Sequence, residues 1–135
     1  MTNDRFKFRA WDGKNMGYQD EFGSFRPNLN TTNYNNQIIG LNIAIKDEKI
    51  KVMQATGLKN KNGKLIYEGD VVLFKDDAGR LQKGVINWWE YAYFANALGG
   101  DDEGNQDIEL HPDYLKDVEV IGNIYENPKL LENDK

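Results

Sequence analysis

Residues 5–11 alternate between basic and apolar side chains, with Arg5, Lys7 and Arg9 at the basic positions. A period of two indicates a β-strand that buries one face and exposes the other. Asp12-Gly13 follows as a turn signal. The chain is therefore predicted to begin with a hairpin whose first strand carries a basic, solvent-facing side.

A different pattern covers residues 19–37, where asparagines crowd around Pro27. Because Asn favours turns and opposes long regular elements, we predict a variable loop or insertion there. Strand-like segments then follow at residues 38–45, 50–54, 65–67, 71–74, 82–89, 91–94 and 117–125. Segments 38–45 and 50–54 are expected to form a second hairpin, and Asn62-Gly63 predicts a tight turn.

Short strands separated by polar turns favour a mainly β fold, with some α+β character. We expect a small antiparallel barrel or a bent sheet built from hairpins. One or two short helices are predicted near the C-terminus. One would start at Asn127-Pro128, because Asn is a preferred N-cap and Pro fits the first helical turn.

Composition narrows the chemistry that this chain supports. Its 135 residues, 39% of them hydrophobic, suit a single domain over residues 1–135. The absence of cysteine excludes disulfides, thiol nucleophiles and cysteine-ligated metals, and a single histidine, His111, excludes multi-histidine metal sites. No apolar run approaches the ~20 residues of a membrane span, and the N-terminus lacks a signal-like apolar region. The expected compartment is the cytoplasm.

Charge is distributed unevenly. The net charge is −5, yet residues 84–115 contain no Lys or Arg and seven acids, while the rest of the chain carries 17 basic and 15 acidic residues. The oxygen ligands that could attract Ca²⁺ or Mg²⁺ in this segment are Asp101, Asp102, Glu103, Asp107 and Glu109. Gln106 stands where a calcium loop of the EF-hand type requires Gly, so we predict a solvated acidic loop at 101–109. Neither a metal site nor a cofactor is predicted.

The basic side chains of the first strand have two possible interpretations. Arg5, Lys7 and Arg9 lie near Trp11, and basic grooves with aromatic side chains bind single-stranded nucleic acid. The simpler interpretation is an edge strand whose charges prevent aggregation, and it is the favoured one. Nucleic-acid binding therefore stays as the alternative function.

Enzymatic activity is not predicted. Glu68 and Asp70 would point to the same side of an extended chain, which resembles a carboxylate pair, but they lie where turn-forming polar residues are expected for structure alone. His111 has no partner in a recognisable motif, and no nucleophile or phosphate-binding motif is present.

An aromatic run is the strongest candidate for a binding surface. Read as a continuous strand, it places Trp89, Tyr91 and Tyr93 on one face. The other face would carry Trp88, Glu90, Ala92 and Phe94. One face would pack in the core. The other would either contribute to an oligomer or partner interface, where Trp and Tyr are enriched, or pack in a thick two-sided core. The predicted interface residues are Trp88, Trp89, Tyr91 and Tyr93.

Three blocks together resemble the YopX-like family of small phage and prophage proteins. They are FKFRAWD at 6–12, GLKNKNGKLIYEGD at 57–70 and VEVIGNIYENP at 118–128. The resemblance implies a phage or prophage protein in a bacterial host, without an established activity and plausibly homo-oligomeric. We therefore expect a non-enzymatic accessory protein that acts by self-association or by binding a phage or host protein.

Overall fold

The computed structural model of the chain describes residues 7–27, 29, 39–76, 78–90, 92–98 and 107–132. Two compact units divide the chain, Met1–Ala55 and Thr56–Lys135. Each unit has a hydrophobic cluster of its own. The single domain predicted over 1–135 stays a prediction.

Two five-stranded antiparallel sheets contain the strands. The first has the spatial order β3-β2-β1-β4-β5 and consists of β1 (Phe8–Trp11), β2 (Met16–Gln19), β3 (Phe25–Arg26), β4 (Lys51–Lys59) and β5 (Leu65–Tyr67). The second has the order β10-β6-β7-β8-β9 and consists of β6 (Asp70–Lys75), β7 (Leu81–Trp89), β8 (Ala92–Ala97), β9 (Ile108–Glu109) and β10 (Glu119–Asn123). The mainly β prediction is confirmed, and the barrel alternative is wrong because neither sheet closes.

Helical structure is short. The α-helix of the described chain, α1, spans Leu41–Lys46, and 3-10 helices span Pro112–Asp117 and Pro128–Leu131. The short C-terminal helices predicted from Pro-containing segments are thus not confirmed as α-helices. In the part of the chain that the structure covers, no helix has the length and apolar character needed to cross a membrane.

Residues 41–46 form a helix where the sequence predicts a strand. Ala44 is fully buried, whereas the adjacent Ile45 is 63% exposed. A strand would have placed Ile43 and Ile45 on the same face. The isoleucines favour strands by propensity, but the helix packs Leu41, Ile43 and Ala44 together against the hydrophobic cluster of the first unit.

The core of the first unit draws on part of the predicted 19–37 loop. Phe25 in β3 and Leu29 after it are both fully buried, and they pack with Ala10 and Ile50. Their burial explains why a stretch rich in Asn still contributes a strand. Residues 28 and 30–38 lie outside the described residues.

The second unit packs one face of its sheet over an apolar cluster. The buried members are Ile66, Val72, Phe74, Ile86, Ala95, Ala97, Leu110 and Val118. Register places Gly84 opposite Ala97 and Ile86 opposite Ala95, so alternate residues of β7 face this core. A β-carbon on Gly84 would lie 2.8 Å from Cε1 of Phe74, which shows that the ring rests directly on the β7 backbone.

Three hairpin turns, at residues 20–24, 60–64 and 76–80, share one hydrogen-bond pattern. In each, the first residue donates its N–H to the carbonyl of the fifth, and its side-chain oxygen accepts from the N–H groups of the third and fifth. The fourth residue is glycine, with φ of 83°, 80° and 78°, a left-handed conformation that glycine adopts without a steric penalty. This pattern of Asp or Asn followed by Gly three residues later connects β2 to β3, β4 to β5 and β6 to β7.

Among the three turn-forming side chains, that of Asp76 accepts further hydrogen bonds through both of its carboxylate oxygens. Its second carboxylate oxygen accepts from Arg80 Nε at 3.0 Å and from Gln82 Nε2 at 2.9 Å. Burial acts to raise the pKa of Asp76, but hydrogen bonds from Arg80, Gln82 and Ala78 and the Arg80 charge outweigh it, so the pKa lies below the usual 3.8.

This lowered pKa predicts a pH-dependent stability. A carboxylate with a folded-state pKa below its unfolded value stabilises the protein above the unfolded pKa and loses that contribution as the pH falls through the folded pKa. We expect Asp76→Asn to lower the thermal midpoint at pH 7 and to reduce the decline in midpoint below about pH 4. Calorimetry between pH 7 and 2.5 measures both effects. Asp113→Asn, with a side chain 82% exposed, is the matched control, and equal losses in the two variants would contradict the prediction.

Candidate protein-interaction site

The aromatic run forms the tip of the β7–β8 hairpin rather than one continuous strand. Trp88 lies opposite Tyr93, and Trp89 lies opposite Ala92. Glu90 turns the chain between them with φ of 53°, in the left-handed region that non-glycine residues rarely adopt. The turn reverses the chain, so face assignments made for a straight strand do not carry across it.

This reversal corrects the predicted distribution of the aromatic side chains. Trp88 shares the core-side face with Tyr93, and the two rings meet edge to face with centroids 4.9 Å apart. Trp89 shares the outer face with Phe94, and those rings meet in the same way at 5.9 Å. The continuous strand predicted from the sequence instead places Trp89 on the same face as Tyr93, and Trp88 on the same face as Phe94. Tyr91 lies outside the described residues.

Both tryptophans at the tip are exposed, 52% for Trp88 and 58% for Trp89. Tyr93 is partly buried against Trp88, and burial together with the negative charge of Glu68 raises the pKa of its hydroxyl from 10.0 to about 12. Tyr93 is therefore neutral at physiological pH, so the tip presents aromatic surface without a phenolate charge.

A pocket of about 510 Å³ opens at the tip, and we call it the aromatic pocket. Its lining residues are Asn87, Trp88, Trp89, Phe94, Asn96 and Asp107. Its volume falls within the roughly 300–1,000 Å³ of typical ligand pockets. Aromatic rings supply its apolar surface, and two amides and one carboxylate supply its polar groups.

Hydrogen bonds order the polar wall of the aromatic pocket. Asn87 Nδ2 donates to Asn96 Oδ1 at 2.9 Å, and Asn96 Nδ2 donates to Asp107 Oδ2 at 3.1 Å. The other carboxylate oxygen of Asp107 accepts from the Ala97 N–H at 2.7 Å. The three side chains are thus held in a row, which we call the polar ladder.

The sequence pattern predicts the two tryptophans of the site but not the polar ladder. Asn87 lies two residues before Trp89, on the same outer face, and Asn96 lies two after Phe94. An alternating Asn-x-Trp and Phe-x-Asn pattern on paired strands is the signal that could have revealed the ladder. Asp107 reaches it from the chain segment just before β9, which no local pattern shows.

The basic strand is not organised as the sequence predicts. Arg9 is 1% exposed, and its Nε group donates to Sδ of the buried Met53 at 3.4 Å. Ala10 is also fully buried, so both faces of β1 are covered. Lys7 is exposed, Trp11 is partly buried, and Arg5 lies outside the described residues. The predicted row of solvent-facing cations is therefore wrong at Arg9.

The remaining candidate groups have structural contacts or fall outside the described residues. Asp70 is 1% exposed, and its Oδ2 accepts from the Tyr67 N–H at 2.9 Å, so it holds the turn between β5 and β6 rather than facing solvent beside Glu68. Asp101–Gln106 lie outside the described residues. Within the residues that are described, no cluster of three or more metal-ligating side chains occurs.

Comparison with known proteins agrees with this fold. A family model described as "YopX protein" matches residues 7–132. Among solved structures, the crystal structure of protein EF1440 from Enterococcus faecalis is similar, with a TM-score of 0.54 and 28% identity over 93% of this chain and 97% of that chain. A search of curated proteins returned no match. Because the family match covers nearly the whole sequence, the chain belongs to the YopX family.

Proposed function

We propose that this protein is a non-enzymatic accessory protein of a phage or prophage, and that it binds a protein partner through the aromatic pocket in the bacterial cytoplasm. The observation that carries the proposal is the exposure of Trp88 and Trp89, 52% and 58%, at one hairpin tip. Tryptophan is enriched among the residues that dominate binding energy at protein interfaces.

The geometry of the rings supports recognition rather than incidental exposure. Trp88 rests against Tyr93 and Trp89 against Phe94, each edge to face. A ring that is already held loses little conformational entropy on binding, and such preorganisation increases affinity. The polar ladder beside them supplies the hydrogen-bonding groups that give an interface its specificity.

A different protein is a better partner for this surface than a second copy of the chain. A two-fold interface brings the same patch of both copies together. Glu90, Asp107 and Glu109 would then face the same carboxylates, and residues 84–115 hold no Lys or Arg to compensate. Like charges facing one another oppose association. The homo-oligomer suggested by the family resemblance would therefore have to use another surface.

Single-stranded nucleic acid is disfavoured by the same charge distribution. Phosphate binding depends on Lys and Arg side chains, and none of the described residues that line the aromatic pocket is Lys or Arg. In the alternative nucleic-acid site on β1, the Arg9 side chain is buried and is therefore not accessible to phosphate groups.

Affinity capture with wild-type protein and Trp89→Ala from bacteria that carry the phage tests the proposal. We expect a protein that binds wild type at least tenfold more tightly than Trp89→Ala, measured after purification by calorimetry, and that remains bound after nuclease treatment. Phe22→Ala is the matched control, because Phe22 is an aromatic residue 85% exposed in the other unit. It should bind like the wild type.

Three outcomes would refute the proposal. One is equal binding by wild type and Trp89→Ala for every captured protein. Another is a light-scattering mass of twice 15.5 kDa that reverts to the monomer in Trp89→Ala, which would assign the pocket to self-association. The third is salt-dependent oligonucleotide binding that Trp89→Ala abolishes.

A further inference from the structure

We infer that the aromatic pocket receives an arginine side chain of the protein partner. This inference rests on the proposed function and specifies the chemistry of the same site. Three features of the pocket point to a planar cation that donates hydrogen bonds: its rings, its polar ladder and its surrounding charge.

The rings favour a cation that can stack. Trp89 is 58% exposed and meets Phe94 edge to face, at an interplanar angle of 79°, so much of the indole surface is accessible to a ligand. Aromatic faces are electron-rich and attract cations, and Trp attracts them most strongly. A guanidinium group is planar and weakly hydrated, and it stacks on such faces more readily than an ammonium group does.

The polar ladder favours a ligand that donates hydrogen bonds. Asp107 is an acceptor-only group when ionised, and it stands at one end of the ladder. At the other end, Asn87 uses an N–H group to bond Asn96, which leaves its carbonyl oxygen as an acceptor. Acceptor capacity in the ladder therefore exceeds donor capacity. An arginine side chain carries only donors, arranged in a fixed planar fork.

The charge around the pocket favours a positive partner. Residues 84–115 contain no Lys or Arg. Glu90, Asp107 and Glu109 have no ion-pair partner among the described residues. Glu109 lies directly opposite Phe94 in the register of β8 and β9, so its charge borders the pocket. A cationic ligand gains attraction from these carboxylates, a neutral ligand does not, and a phosphate would be repelled.

The test compares two capped peptides that differ only in the end group of one side chain, which is a guanidinium in one and an uncharged urea in the other. Acetyl-Gly-Arg-Gly-amide and acetyl-Gly-citrulline-Gly-amide are titrated into isotope-labelled full-length protein, and the indole N–H signals of the 3 tryptophans are followed by NMR. Citrulline has the shape of arginine without its charge. We expect the arginine peptide to shift the Trp88 and Trp89 signals with an affinity at least tenfold higher than the citrulline peptide, while the Trp11 signal stays in place.

Substitution of the ladder carboxylate provides the second arm. Asp107→Asn keeps an oxygen that can accept from the Ala97 N–H, and we expect it to weaken arginine-peptide binding at least fivefold without changing the thermal midpoint. Asp113→Asn, which removes an exposed carboxylate outside the pocket, should bind like the wild type. If Asp107→Asn lowers the thermal midpoint, Glu109→Gln is used in its place. This substitution removes a charge at the border of the pocket and should also weaken binding of the arginine peptide.

Equal affinity for the two peptides would overturn the inference, as would tighter binding of the neutral sugar maltotriose at the same indole signals. These results are separate from those that test the proposed function. If a captured partner depends on Trp89 while the arginine peptide moves no indole signal, the arginine assignment fails and the proposed function stands. If the arginine peptide binds but no partner depends on Trp89, the proposed function fails.

Discussion

Replacing Phe74 with alanine is expected to lower the free energy of unfolding by about 3–5 kcal/mol, the range observed for removal of a buried phenylalanine side chain. Phe74 is fully buried in the core of the second unit, and its ring rests on the backbone of Gly84. Because the surrounding strands are held by their hydrogen bonds, they close only partly around the missing ring. A domain of this size has a total stability of about 5–15 kcal/mol, so much of it would be lost.

Urea unfolding followed by tryptophan fluorescence measures this loss. Phe22→Ala is the matched control, since the same side chain is removed at a position that is 85% exposed. We expect the control to change stability by less than about 0.5 kcal/mol. Similar midpoints for the two variants would show that the Phe74 ring is not in the core.

The second large effect is expected at Arg9. Its side chain is 1% exposed, lies opposite Met53 in the pairing of β1 with β4, and donates to the Met53 sulfur. Removing a long buried side chain leaves a cavity and deprives its neighbours of contacts. Arg9→Ala should therefore destabilise the protein by about 2–5 kcal/mol, comparable to truncation of a buried Met.

Lys7→Ala is the matched control for Arg9→Ala, because Lys7 is an exposed basic residue immediately before the same strand. We expect it to leave the urea midpoint unchanged. Arg9→Lys keeps a charge and a flexible stem, and should recover part of the stability. If Arg9→Ala instead kept its stability and lost salt-dependent oligonucleotide binding, β1 would be a nucleic-acid site rather than a structural strand.

These cases show which parts of the structure are readable from the sequence. The period of two at residues 5–11 identifies β1, but it does not reveal that Arg9 is buried, because burial depends on elements distant in sequence. Likewise, isoleucines at 43 and 45 indicate a strand by propensity, whereas residues 41–46 form a helix that packs Leu41, Ile43 and Ala44 against the hydrophobic cluster of the first unit.

The candidate site is only partly predictable from the sequence, for a similar reason. Because neighbouring residues of a strand point to opposite faces, Trp88 and Trp89 cannot both face the same core, and this marks them as candidates. Their distribution over the two faces depends on the turn at Glu90, a residue without the Gly or Asn signal that marks a tight hairpin turn. Asp107 joins the ladder through a long-range bond to Asn96, and no pattern within a single strand contains that information.

The repeated Asp/Asn-x-x-Gly turn has a consequence for how the chain reaches its native state. In each turn, the hydrogen bonds made by backbone N–H groups lie within five consecutive residues, so its closure requires no contact with distant parts of the chain. Hairpins of this kind form in about 1–10 μs, whereas β1–β4 and β6–β10 join segments that are far apart in sequence. Loop-closure entropy makes such distant pairings slow. The rate of folding is therefore expected to be set by the pairing of β1 with β4 and of β6 with β10, after the three hairpins have closed.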